Sequence, residues 1–101
     1  MEELERSRRE QIFGNSMEVV LTSHFERMAK KLPRALRPLI SERVDMFMAN
    51  PSNPALGTHK LSGNYEGYSA FSVNYQYRIL FKQKGKTATF YYIDDHSVYD
   101  R

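Results

Sequence analysis

The stretch that decides the fold is Tyr75-Gln76-Tyr77-Arg78-Ile79-Leu80-Phe81-Lys82-Gln83, then Lys84-Gly85-Lys86, then Thr87-Ala88-Thr89-Phe90-Tyr91-Tyr92-Ile93-Asp94. Two runs of aromatic and β-branched residues flank a short glycine-centred turn, which is the pattern of a β-hairpin. In the first run Tyr77, Ile79 and Phe81 share one face, and Arg78, Leu80 and Lys82 share the other. In the second, strict alternation sets Thr89, Tyr91 and Ile93 against Ala88, Phe90 and Tyr92. Upstream, Tyr65–Val73 reads as a further strand. Met17–Leu21 reads as an opening one, because Val19, Val20 and Leu21 supply β-propensity.

Between the opening strand and the meander the period changes. Phe25, Met28, Ala29 and Leu32 recur at helical spacing, behind a cap at Thr22 or Ser23 with Glu26 placed for a capping box. Pro33 ends that helix or opens the next. A second helix is predicted from Arg34 to Ala49, with Leu36, Leu39, Ile40, Val44, Phe47 and Met48 on its apolar face. Asn50-Pro51-Ser52-Asn53-Pro54 stops it. The expected order is β-α-α-β-β-β, an α+β domain with an N-terminal strand and an αα-hairpin packed on a small antiparallel sheet. Residues 1–16 read as a charged N-terminal extension ending in the breaker Gly14-Asn15-Ser16, and residues 17–101 as the domain proper.

A chain of 101 residues supports one modest core. No apolar run approaches the roughly 20 residues that cross a bilayer, and no signal segment opens the chain. The reading is cytoplasmic, with no membrane partner and no small-molecule cofactor. The absence of cysteine excludes disulfides and thiolate chemistry. The net charge of +3 is unevenly spread. Arg27, Lys30, Lys31, Arg34 and Arg37 form one basic group, and Lys82, Lys84 and Lys86 another. Such a field favours a polyanion or an acidic protein partner, although solvated surfaces would read the same.

The meander also carries chemistry. Histidine titrates near neutral pH and arginine holds phosphate, so together they can cut RNA without a metal. His96 follows Asp94 and Asp95, either of which can orient its ring; the alternative is a surface histidine in a polar tail. Arg78 can stabilise charge on a phosphate, or instead pair with a carboxylate such as Glu66. His59 and Lys60 precede a glycine-bounded turn and, on the residues alone, are ordinary loop positions. His24, beside the first helix stripe, reads as structural or surface. Most of the seven tyrosines and six phenylalanines read as core. No metal site is expected, because Asp94 and Asp95 point opposite ways on an extended chain.

Several pieces in this order resemble the RelE/ParE superfamily of bacterial toxin–antitoxin toxins. They are the strand running into Ser23-His24-Phe25, the helix end Lys30-Lys31-Leu32-Pro33, and His59-Lys60-Leu61-Ser62-Gly63. The strand Tyr77-Arg78-Ile79-Leu80-Phe81 and the closing Asp95-His96-Ser97-Val98-Tyr99 complete the set. The resemblance covers Met17 to Tyr99 and leans toward the YafQ-like and HigB-like members of the nuclease branch. It implies a metal-independent endoribonuclease acting on mRNA at the ribosome and held by a cognate antitoxin. His96, Arg78 and His59 are its implied catalytic set, with Lys60 and Tyr99 on RNA. The sequence departs from the best-studied RelE type, because no arginine stands on the strand Phe71-Ser72-Val73. The resemblance also admits a ParE-like gyrase inhibitor without nuclease activity, or an inactive toxin fold kept as a binding module.

Overall fold

The computed structural model describes residues 17–95. The expectations for the extension 1–16, for His96 and for Tyr99 lie outside the described residues.

Strand β1, Glu18–Leu21, leads into helix α1, Ser23–Lys30. Thr22 is the N-cap: its hydroxyl oxygen accepts from the Phe25 amide at 3.0 Å and its hydroxyl donates to the Phe90 carbonyl at 2.9 Å. One side chain thus closes an orphan helix donor and ties the helix to the sheet. A single 3₁₀ turn, Arg34–Leu36, precedes helix α2, Arg37–Ala49, with Pro38 in the first turn where its missing amide costs nothing. Asn50 then leaves the helix with extended backbone, and its side-chain oxygen accepts from the Ser52 amide at 3.1 Å.

The remaining strands are β2, His59–Lys60, β3, Ser69–Ser72, β4, Tyr77–Lys84, and β5, Thr87–Asp95. They form one five-stranded sheet in the order β1-β5-β4-β3-β2. The α+β expectation holds, with a refinement. The β2 to β5 meander is antiparallel, but β1 pairs parallel with β5, so the sheet is mixed. The connection between this parallel pair runs through both helices and then through β2, β3 and β4.

Two strand boundaries differ from the sequence reading. The run expected from Tyr65 shortens to Ser69–Ser72, because Gly63 and Gly67 hold positive φ of 66° and 94° and turn the chain. Tyr75 belongs to the β3–β4 turn, where the Asn74 side-chain oxygen accepts from the amides of Gln76 and Tyr77.

The helices pack on one sheet face. Phe47 of α2 stacks on Phe71 at 4.6 Å between ring centroids and meets Phe81 at 4.8 Å edge-on, while Phe25 of α1 meets Phe90 at 5.4 Å. Leu56, Val73, Ile79 and Ile93 complete this core. Ala70 and Leu80 are equally buried but stand apart from it, paired with each other on the opposite face.

Strict alternation fails in β5. Leu80 pairs with Tyr92 but Phe81 pairs with Phe90, so Tyr91 is an extra residue: a β-bulge. Phe90 and Ile93 therefore share the core face, and Tyr91 and Tyr92 both project to the other. The grouping of Ala88, Phe90 and Tyr92 on one face is corrected accordingly.

Candidate functional site

The sheet face away from the helices collects most of the polar chemistry among the described residues. Register fixes its members. His59 pairs with Ala70, Ala70 with Leu80, and Leu80 with Tyr92; one pleat along, Ser72 pairs with Arg78 and Arg78 with Asp94. Cross-strand partners share a face, so His59 and Arg78 lie on the same side. Two strand spacings across and one pleat along put their Cα atoms about 12 Å apart.

Arg78 is half-buried, at the start of β4. Its guanidinium donates through Nη1 to the Ser72 hydroxyl at 3.1 Å, and that hydroxyl donates to the Asn74 carbonyl at 3.0 Å. Ser72 therefore leans the arginine toward β3, the side of the sheet on which β2 and His59 lie. Its Nε is buried with no partner among the described residues. Facing it across the strands is Asp94, whose Oδ1 accepts from the Asp95 amide at 2.8 Å.

His59 is exposed, with Nδ1 2.9 Å from the Gly57 carbonyl. A carbonyl only accepts, so Nδ1 carries the proton in the neutral ring and Nε2 keeps a free lone pair. That tautomer is the one a general base needs. Lys60, the next residue in an extended strand, pairs with Ser69 and leaves the other face, where it lines a cavity with Glu66, Ser69 and Gln83.

The same helix-free face holds an aromatic cluster; the sequence reading took most tyrosines as core and Tyr68, Tyr75 and Tyr99 as the more exposed ones. Tyr68 meets Tyr91 at 5.5 Å, Tyr92 at 5.8 Å and Tyr65 at 6.0 Å, and His24 meets Tyr92 at 5.3 Å. The Lys82 ammonium lies 4.6 Å from the Tyr68 ring centroid and 5.8 Å from that of Tyr91. Burial, and then the hydrogen bond with Tyr92, push the Tyr68 phenol up from its ordinary range. The register reveals what alternation concealed: the core-facing positions Ala88, Phe90 and Ile93 are spaced by two and then by three.

Comparison with solved structures decides the fold. No protein-family model matches the sequence, and no curated protein does. YafQ from Escherichia coli strain BL21(DE3) superposes with a TM-score of 0.69 at 13% identity, over 84% of this chain and 99% of its own. This chain has the RelE/ParE toxin fold. The YoeB/ParE toxin from Agrobacterium tumefaciens is similar at a TM-score of 0.62 and 14% identity, covering 79% and 99% of the two chains. The toxin–antitoxin complex RelBE2 from Mycobacterium tuberculosis is similar at 0.57 and 21%, covering 81% and 93%. The RelE/ParE fold thus reaches this sequence through its layer order and sheet, with little side-chain identity to carry it.

Proposed function

We propose that this chain is the toxin of a toxin–antitoxin pair, a metal-independent endoribonuclease that cuts mRNA on the ribosome. The observation that carries the reading is the common face of His59 and Arg78, with Arg78 braced by Ser72. In the reaction a 2′-hydroxyl attacks the adjacent phosphorus and loses its proton to a base. The 5′-oxygen leaves and takes a proton from an acid. His59, with Nε2 free to accept, suits the first task. His96 supplies the second, and Arg78 stabilises the negative charge that builds on the phosphate oxygens. Lys60 lies on the other face of a two-residue edge strand, so it meets RNA only where the strand rounds the sheet edge. Tyr99 stacks a base. The products carry a 2′,3′-cyclic phosphate and a 5′-hydroxyl.

A cytoplasmic nuclease harms its own cell, so a cognate antitoxin is part of the reading. DinJ is the partner of YafQ in a solved complex. Here Lys30 and Arg37, with Glu26 beside them, border a groove of about 530 Å³ lined by Leu21, Phe25, Ala29 and Ile40. An acidic amphipathic segment that folds on binding suits that groove.

The rival is a gyrase inhibitor of the ParE type, with the same fold and no chemistry. Primer extension on translated mRNA after induction separates the two. The wild type is expected to give cuts inside open reading frames. His96→Gln should keep the fold and lower cleavage by about 10²–10⁴. Arg78→Ala should lower cleavage and RNA binding together. Intact mRNA with undiminished toxicity of His96→Gln would transfer the assignment to gyrase.

A further inference from the structure

We propose that Tyr68, Tyr91 and Lys82 form a subsite for the nucleotides flanking the cleaved phosphate, with bases stacked on the phenol rings and a backbone phosphate on the lysine. The subsite deepens the nuclease reading and rests on it.

Three features of the fold converge here. The bulge at Tyr91 breaks the β4–β5 ladder and turns two consecutive tyrosines to the helix-free face. Bulges recur beside functional sites because they re-aim a side chain. Tyr68 then reaches this face from the loop that follows the Gly67 turn, and it contacts both of them. Lastly, Lys82 stands exposed on the same face, its ammonium above the Tyr68 ring.

The arrangement forms a strip rather than a point. Arg78, Leu80 and Lys82 alternate along one face of β4, so about 13 Å separates the two cations. Leu80, paired with Tyr92, lies fully buried between them. A strip of that length spans a few stacked nucleotides at about 3.4 Å each. It has a cation at each end, with Tyr68 and Tyr91 gathered at the Lys82 end and Tyr92 opposite Leu80 in the middle. Cations with half-buried phenol rings are the composition of a single-strand binding groove. Ring contacts alone would stabilise the sheet equally well if Lys82 were apolar. The cation on the ring surface, on the face that holds Arg78, adds the charge complementarity that singles out RNA. Phenol rings accept any base, so the subsite grips RNA without selecting sequence.

The test uses the full chain and fluorescence anisotropy at low salt, with a short labelled single-stranded RNA and its abasic counterpart of the same length. Tyr91→Ala is expected to weaken binding of the base-bearing RNA by about 5- to 100-fold and to leave the abasic strand unchanged. Tyr91→Phe, which keeps the ring, should bind as the wild type does. Lys82→Ala, at an exposed position, should weaken both strands and flatten the salt dependence by about 0.7 in the log–log slope. Equal losses on the two strands for Tyr91→Ala overturn the subsite, and so does a wild type that binds neither. A polyglutamate peptide whose affinity depends on Tyr91 while RNA binding does not would give this surface to a protein partner instead. Cleavage of translated mRNA, read in parallel, keeps the two ideas apart. If Arg78→Ala loses cleavage while Tyr91→Ala and Lys82→Ala keep it, the subsite fails and the nuclease reading stands. If the base-dependent binding holds and the wild type cuts nothing, the stacking surface stands and the nuclease reading fails.

Discussion

At the scale of the residue, Phe47 and Tyr68 show how differently two aromatic rings can be used. Phe47 is fully buried and touches Phe71, Phe81 and Phe90, so it joins α2 to three strands at once. Phe47→Ala should cost about 3–5 kcal/mol. Against a typical total of about 5–15 kcal/mol that is a large share. Urea denaturation should show the loss, and a change under 1 kcal/mol would contradict the packing described. Tyr68 instead sits on the opposite face with its phenol pushed up by burial. The sign of its contribution follows. Above the ordinary phenol value of about 10, the unfolded chain releases the proton and the folded chain retains it. The stabilising contribution is present below that pH and is lost as the pH rises through the raised folded value. Melting temperatures measured from pH 8 to 11 should fall on the alkaline side, and Tyr68→Phe should flatten the fall. An unchanged alkaline limb in the variant would mean that another group governs it.

At the scale of the element, Thr22 and the β5 bulge are single-position devices with wide reach. Thr22 caps α1 and bonds to the Phe90 carbonyl. Thr22→Ala removes both bonds and should cost about 1–2 kcal/mol, whereas Thr22→Ser should cost much less. Calorimetry that shows the two variants equally stable would remove the hydroxyl from the explanation. The bulge decides which side chains reach the helix-free face. Without the extra residue, the pattern of β5 would alternate cleanly and only one tyrosine would leave on the helix-free face.

At the scale of the whole molecule, the question is where the folded unit begins and what binds it. Met17 is buried, and its amide donates to the Met48 carbonyl at 2.8 Å, so the described core already closes at this residue. We propose that residues 1–16 add little to it. A chain starting at Met17 should melt within a few degrees of the full chain, and a large drop would move the boundary upstream. The basic surface of α1 and the turn after it gives a second expectation. Charge reversal at Lys30, Lys31 and Arg34 should slow antitoxin association strongly at low salt and weakly at high salt. Stopped-flow rates that ignore both the reversals and the salt would place the antitoxin elsewhere.

The sequence by itself determined the order of the two helices and the four longer strands, though not the short β2 at His59–Lys60, and it determined the apolar faces of both helices and the core face of β4. These are local matters: a 3.6-residue period, a two-residue period and the residues that break them act through neighbours along the chain. It also singled out Arg78 and His59. Only the tertiary structure decided that these two share a face, since that depends on register across three strands separated by turns. The parallel pairing of β1 with β5 was likewise closed to the sequence, because the partners lie some seventy positions apart and no local pattern records direction. The tyrosine cluster lay between the two cases. Its tyrosines stood in the sequence, but the bulge that turns two of them to one face did not. An extra residue shows itself only when the partner strand supplies the count.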